Sequence, residues 1–231
     1  MRLLFGEKGG LDFLVMTQGG IGNGERKESS EGHEWLLALH DFSRYIVAAT
    51  LVPVLKMGRR GVVIDVLAAG VWNKFDDENL ELVGKSPDFF HVASRDGPIH
   101  DIITLEFNQR CPEVVYNHLY PGPTKTDMTS SNNTGFIIKY GFAATTLLIG
   151  QTADQFAEIA FNVATKWEQT GRENANDVNI GLPGPSIATV EECRTWGASG
   201  EKVKVRDYPS RPEVRAKIWK WLETETGVVV T

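Results

Sequence analysis

Two residues of this chain have types and spacing that could do chemistry together. His91 and Arg95 stand four apart, so a continuous helix would put a titratable imidazole and a permanently charged guanidinium on one face. The imidazole can serve as general acid or base, and the arginine, which does not deprotonate, can hold a phosphate or a ribose hydroxyl. The plainer reading of His91 is an imidazole at a loop-helix junction. Gly97-Pro98 bears on the choice, because a proline inside a helix costs about 3 kcal/mol and disfavours helical geometry at the residue before it. The spacing therefore predicts a helix over roughly 96–109, with Asp96 as N-cap and Gly97 and Pro98 in the first turn. His91 and Arg95 then fall in the loop ahead of it. Asp65 and Ser94, polar neighbours in this part of the sequence, read equally well as structural.

Other chemical constellations are weaker. Gln18-Gly-Gly-Ile-Gly-Asn-Gly24 follows an apolar run as a phosphate-binding loop would, but charged residues at 25–28 stand where a packing helix should begin. The histidines at 33, 40, 91, 100 and 118 lack metal-site spacing, and so do Cys111 and Cys193, so no metal centre is expected. Cysteine usage of this kind suits a reducing compartment. A net charge of −6 leaves no basic field for nucleic acid. No apolar run approaches the roughly 20 residues of a membrane span, and the opening residues are too short for a signal-peptide core. A cytoplasmic protein with a small-molecule substrate is expected.

The elements that must position these residues follow from periodicity. Leu11 to Met16 reads as a first strand, and Trp35, Leu36, Leu39, Phe42, Ile46, Ala49 and Leu55 recur at helical spacing. Gly61 to Leu67 reads as a second strand and Val114 to Leu119 as a third, with a loop from Trp72 to Pro87. Further on come an apolar run at Phe142 to Ile149, a capping box at Thr152–Gln155, an alternating last strand at Lys202 to Arg206, and a second capping box at Ser210–Glu213. The last helix should end at Gly227. Strand and helix alternate, so the fold class is α/β with a doubly wound parallel sheet, and 231 residues suit a single domain.

Val114 to Met128, in which an apolar run stops at Pro121-Gly122 and continues to Thr126, resembles the short-chain dehydrogenase/reductase pattern, and so does the spacing of Phe90 to Arg95. The resemblance implies a Rossmann-like fold, an NAD(P) cofactor, and oxidation or reduction of a small carbonyl or alcohol. It puts Gly19 at the end of the strand that carries Asn-Asn-Ala-Gly in the family, and Pro121, Gly122 and Thr126 around the nicotinamide. It sets His91 at the family's Tyr, Arg95 at its Lys, His40 at its Asn and Leu67 at its Ser. All four residue types are replaced, which describes a degenerate active site. Nothing before Leu11 matches the family's glycine-rich loop, so on this alignment roughly two to three leading units are missing. The strand at 11–16 would then be an exposed sheet edge, and the chain is expected to self-associate through it, to bind a partner, or to be poorly stable. Glu25 to Arg44 and the Arg215–Glu223 run look similar to divergent members found in fungal metabolism, which implies a secondary-metabolite role by analogy. The alternative is a non-redox protein on the same scaffold: an isomerase, dehydratase or cyclase using His91 and Arg95, or an inactive binding subunit.

Overall fold

Short β-branched runs bounded by glycine or proline become the strands of a parallel sheet. The protein's structure, a computed structural model, describes residues 9–59, 61–72, 75–125, 150–175, 194–208 and 210–230. Strands β1 (Phe13–Met16), β2 (Val62–Val66) and β3 (Val115–Leu119) pair in chain order, with Ile64 opposite both Val15 and Asn117. A separate parallel pair joins β4 (Thr124–Lys125) to β5 (Gln151–Thr152). Beside β3 lies β6 (Thr195–Trp196), giving the order β1-β2-β3-β6.

Helix α1 starts as Trp35–Leu37, passes through a π-helical turn at Ala38–Phe42, and continues over Ser43–Met57. The others are α2 (Phe89–Arg110), α3 (Ala153–Ala175) and α4 (Pro212–Thr226). Because side chains alternate across a strand, each buried strand feeds two layers. Val63 and Tyr116 join a core with Tyr45, Val52, Ile102, Phe107 and Trp219 from α1, α2 and α4. Val62, Ile64, Val115 and Leu119 face the other way, against Phe156, Val163 and Trp196. A parallel sheet covered by helices on both faces is the expected α/β, Rossmann-like architecture. Among the described residues no helix is long and apolar enough to cross a membrane.

Several expectations need correction. Helix α2 begins at Phe89, not near Asp96, because the Asp88 carboxylate accepts the Phe90 and His91 N–H groups at 2.9 and 3.0 Å and caps it there. Gly97 and Pro98 are therefore interior. A Cβ at Gly97 would come within 3.0 Å of the Ala68 carbonyl oxygen, so glycine lets α2 press against the end of β2. The buried Ile99, Ile102, Ile103 and Phe107 carry the helix past the proline. Lys202–Arg206 forms no strand: Lys202 makes a single antiparallel bridge to Trp196, after a tight turn in which Gly197 N–H donates to Glu201. Ser210 does not cap α4; its hydroxyl donates to the Asp207 carbonyl, and Arg211 is the N-cap with Pro212 in the first turn. The Thr152–Gln155 box is formed reciprocally, at 2.8 and 3.2 Å. Gly227 ends α4 in the left-handed region, at φ 66°. The expectation for Phe142 to Ile149 lies outside the described residues.

Candidate active site

At the carboxyl ends of β1 and β2, the π-helical turn of α1 meets the first half of α2. An α-helix advances about 100° per residue, so neighbours such as His40 and Asp41 should not both point inward; the wider π turn brings both below 4% exposure. Arg44, one turn on, is also buried. Asp65 interrupts the apolar run of β2 and points to the same side as Val63, toward α1 and α2.

These residues form one ion-paired cluster. Gly20 N–H donates to His40 Nε2 at 2.8 Å, so the ring proton sits on Nδ1, which donates to Asp96 at 2.5 Å. The other Asp96 oxygen accepts from Arg95 Nε at 2.6 Å, and Arg95 Nη1 donates to Glu34 at 2.8 Å. Glu34 is also the N-cap of α1, accepting the Leu36 and Leu37 N–H groups at 2.9 Å each. Deeper in, Asp65 accepts from Arg44, from His100 Nδ1, and from the Tyr116 hydroxyl at 2.8 Å. Asp41 lies between the two halves, 3.3 Å from His100 Nε2 and 3.8 Å from Arg95 Nε. Neither of its oxygens receives a formed hydrogen bond, because at 3.3 Å the His100 N–H is not directed well enough at the carboxylate. Alongside, Asp101 accepts from His118 Nδ1 at 2.8 Å and from Gly70 N–H, and His118 Nε2 accepts the Ala68 N–H at 3.2 Å, fastening the loop after β2.

The electrostatics follow from these pairs. Burial works against ionisation of Asp65, but the facing His100 and Arg44 charges override it and hold the carboxyl well below the usual range. Burial also opposes the His100 charge, yet Asp65 and Asp41 push the ring up to about 10, so it is an imidazolium at neutral pH. Asp96 is held low, against its burial, by the Arg95 guanidinium and the His40 hydrogen bond. Asp41 goes the other way: burial first, then the Asp96 charge, push it up to about 6.

Comparison with known proteins adds a relative and a fold. No family model matches the chain. A curated relative does. Oxidoreductase AN1596 of Emericella nidulans is 31% identical over 123 residues, which is 53% of this chain and 36% of that protein. The chain thus spans about a third of the relative's length. The crystal structure of an uncharacterized protein from Mycobacterium paratuberculosis aligns with 100% of this chain and 72% of its own, at TM-score 0.55 and 15% identity. That likeness concerns the fold, a parallel sheet with flanking helices.

The structure separates the residues that spacing had joined. His40 and Arg95 do come together, bridged by Asp96, but Arg95 is 3% exposed and committed to carboxylates, so it is an internal counter-ion. His91 lies one turn earlier at the surface start of α2, its side chain 46% exposed and its Nδ1 3.0 Å from Asp88 Oδ2. The helix passes from solvent to interior between the two. Gly19 packs on the His40 ring, where a Cβ would lie 3.1 Å from Nε2. Pro121 and Gly122 follow β3, the Pro121 carbonyl accepting from Thr124 and Gln151 at 3.0 and 2.7 Å. Leu67 donates its N–H to the Leu119 carbonyl. Thr126 lies outside the described residues.

A nicotinamide dinucleotide needs unspent N–H groups at a helix start for its pyrophosphate. At this edge α1 is capped by the Glu34 carboxylate and α2 by Asp88, so neither helix start offers a pyrophosphate unspent N–H groups. The glycine loop is also committed: a Cβ on Gly22 would lie 2.4 Å from the Pro87 carbonyl oxygen, and Asn23 bridges to Asp88. The described residues at this edge do not fit a pyrophosphate.

Sequence reading missed Glu34, Asp41, Arg44 and Asp96 as one cluster. Their signal was present as ionisable residues set within apolar periodicity, His40-Asp41 and Arg44 between Leu39 and Tyr45.

Proposed function

We propose that the chain is an oxidoreductase-like protein of the short-chain dehydrogenase/reductase kind, serving small-molecule and specifically secondary-metabolite chemistry. Its strand-end site takes a small carbonyl or alcohol but does not run hydride transfer in the family's usual way. The observation that carries this reading is the 31% identity to an oxidoreductase over 123 residues, on a parallel α/β scaffold. The carboxylate-capped helix starts and the burial of Arg95 support the second clause. A ligand-observed NMR screen of small ketones, aldehydes and alcohols tests it, with NADPH oxidation followed for the carbonyls and NADP+ reduction for the alcohols. Binding of a carbonyl or alcohol without cofactor turnover is expected. Folded protein that binds none of them would sink the substrate class, and robust NADPH oxidation or NADP+ reduction would make the chain a working dehydrogenase.

One observation favours a second, non-redox reading. Asp88 holds His91 Nδ1 at 3.0 Å on an exposed helix start, which leaves Nε2 as the ring nitrogen able to exchange a proton with a substrate. In this reading the protein is an isomerase, dehydratase or cyclase with His91 as general acid or base and Arg95 positioning the interior behind it. His91→Phe should abolish such turnover; unchanged turnover would leave His91 a capping residue.

A further inference from the structure

Asp41 is the carboxylate of the ion-paired cluster that its cationic neighbours reach only at longer range. Arg95 Nε is 2.6 Å from Asp96 and 3.8 Å from Asp41, and His100 gives Nδ1 to Asp65 at 2.5 Å while its Nε2 stands 3.3 Å from Asp41 without a formed hydrogen bond. Within the cluster Arg44, Arg95 and His100 are matched by Glu34, Asp65 and Asp96, so an ionised Asp41 is surplus negative charge. It is fully buried, and both its oxygens lack a formed hydrogen bond among the described residues. Such a group is costly in a low-dielectric interior. From α2 it faces Arg95, Asp96 and His100; from β2, Asp65 beyond His100; from β3, the Tyr116 phenol; on its own helix stand His40, bonded to Asp96, Glu34 beyond Arg95 and Arg44 beyond Asp65. Burial and the Asp96 charge push its carboxyl up to about 6, in keeping with the count.

The turn that carries Asp41, through His40, and the first residues of the helix after it, through Ser43 and Arg44, hold the loop after β1. Gly20 N–H donates to His40, the Gln18 carbonyl accepts from Arg44, and the Gln18 amide donates to Ser43 at 3.3 Å. Single π turns inside α-helices occur frequently at functional sites, and this one ties the cluster to the strand-end loop.

We propose that Asp41 and the π-helical turn Ala38–Phe42 form a proton-operated latch on the Gln18–Gly20 loop. With the proton on Asp41 the cluster is balanced and the turn is shut. When the proton leaves to solvent, the surplus charge loosens the turn and the loop it holds. The latch does not depend on which reaction the site supports.

Hydrogen exchange on the intact chain tests it, by comparing amide protection at pH 5 and pH 7.5 after correction for intrinsic rates. If opening returns Asp41 to an ordinary aspartate value of about 3.9, linkage makes opening about tenfold more favourable across that interval. The expected result is a loss of about tenfold in protection, confined to the π turn and the Gln18–Gly20 loop, and absent from Asp41→Asn. Equal protection at the two pH values in the wild-type chain would overturn the proposal, and so would the same loss in Asp41→Asn. Should that variant not fold, Asp41→Ser takes its place, and equal protection in the wild-type chain still overturns the proposal.

Discussion

Asp41 and Asp65 are both fully buried, yet replacing each by asparagine should move stability in opposite directions. Asp65→Asn removes the carboxylate that faces Arg44 and His100, and breaking a buried pair in this way costs about 3–5 kcal/mol. Asp41 is near enough to His100, at 3.3 Å, to take over part of that partnership, and Arg44 keeps the Val66 and Gln18 carbonyls. The loss should therefore fall at the low end, about 3 kcal/mol at pH 7.5. Asp41 has its carboxyl raised from an ordinary value to about 6, so the folded state binds more protons than the unfolded state between those values. Its contribution is complete in acid and is lost as pH rises toward neutrality, at most about 3 kcal/mol for a shift of roughly two units. Asp41→Asn removes that penalty but buries an amide needing partners of its own, about 1–2 kcal/mol, so a net gain of about 1 kcal/mol is expected at pH 7.5. Urea unfolding followed by tryptophan fluorescence at pH 5 and pH 7.5 measures both variants, given unchanged slopes. The charge argument fails if Asp41→Asn destabilises by more than about 1 kcal/mol at pH 7.5, or if Asp65→Asn costs less than that.

Other perturbations reach different parts of the account. Asp88→Ala should cost about 1 kcal/mol by uncapping α2, read by thermal unfolding, and a value near zero would deny that Asp88 sets the helix start. Gly22→Ala should cost about 1–3 kcal/mol, because the new methyl meets the Pro87 backbone at 2.4 Å; a neutral result in urea would show that the loop is not fastened there. Val15 on the edge strand is 59% exposed and Phe161, which reaches Phe13, is 62% exposed, so the chain should elute larger than a monomer. A clean monomer by light scattering would remove self-association from the account.

The apolar periodicities made the sheet legible, since Val62–Val66 and Val115–Leu119 are β-branched runs bounded by turn residues. The start of α2 was not legible, because Gly97-Pro98 reads locally as a helix boundary. The Asp88 cap starts the helix before that pair, and the burial of Ile99, Ile102, Ile103 and Phe107 carries it past the proline. The cluster was hidden for a related reason. Nothing in the sequence joins Glu34, Asp41 and Arg44; the π turn brings Asp41 inward and α2 supplies the counter-charges. Spacing proposed that His91 and Arg95 share a role. It says nothing of depth, and depth separates them.

Calorimetric titration of the folded chain with NADPH and NADH tests whether the strand ends seat a dinucleotide. Carboxylates cap both helix starts at the strand ends, so the prediction is no saturable heat at cofactor concentrations up to the millimolar range. A saturable, stoichiometric heat would contradict it, and would mean that a pyrophosphate is seated despite Glu34 and Asp88.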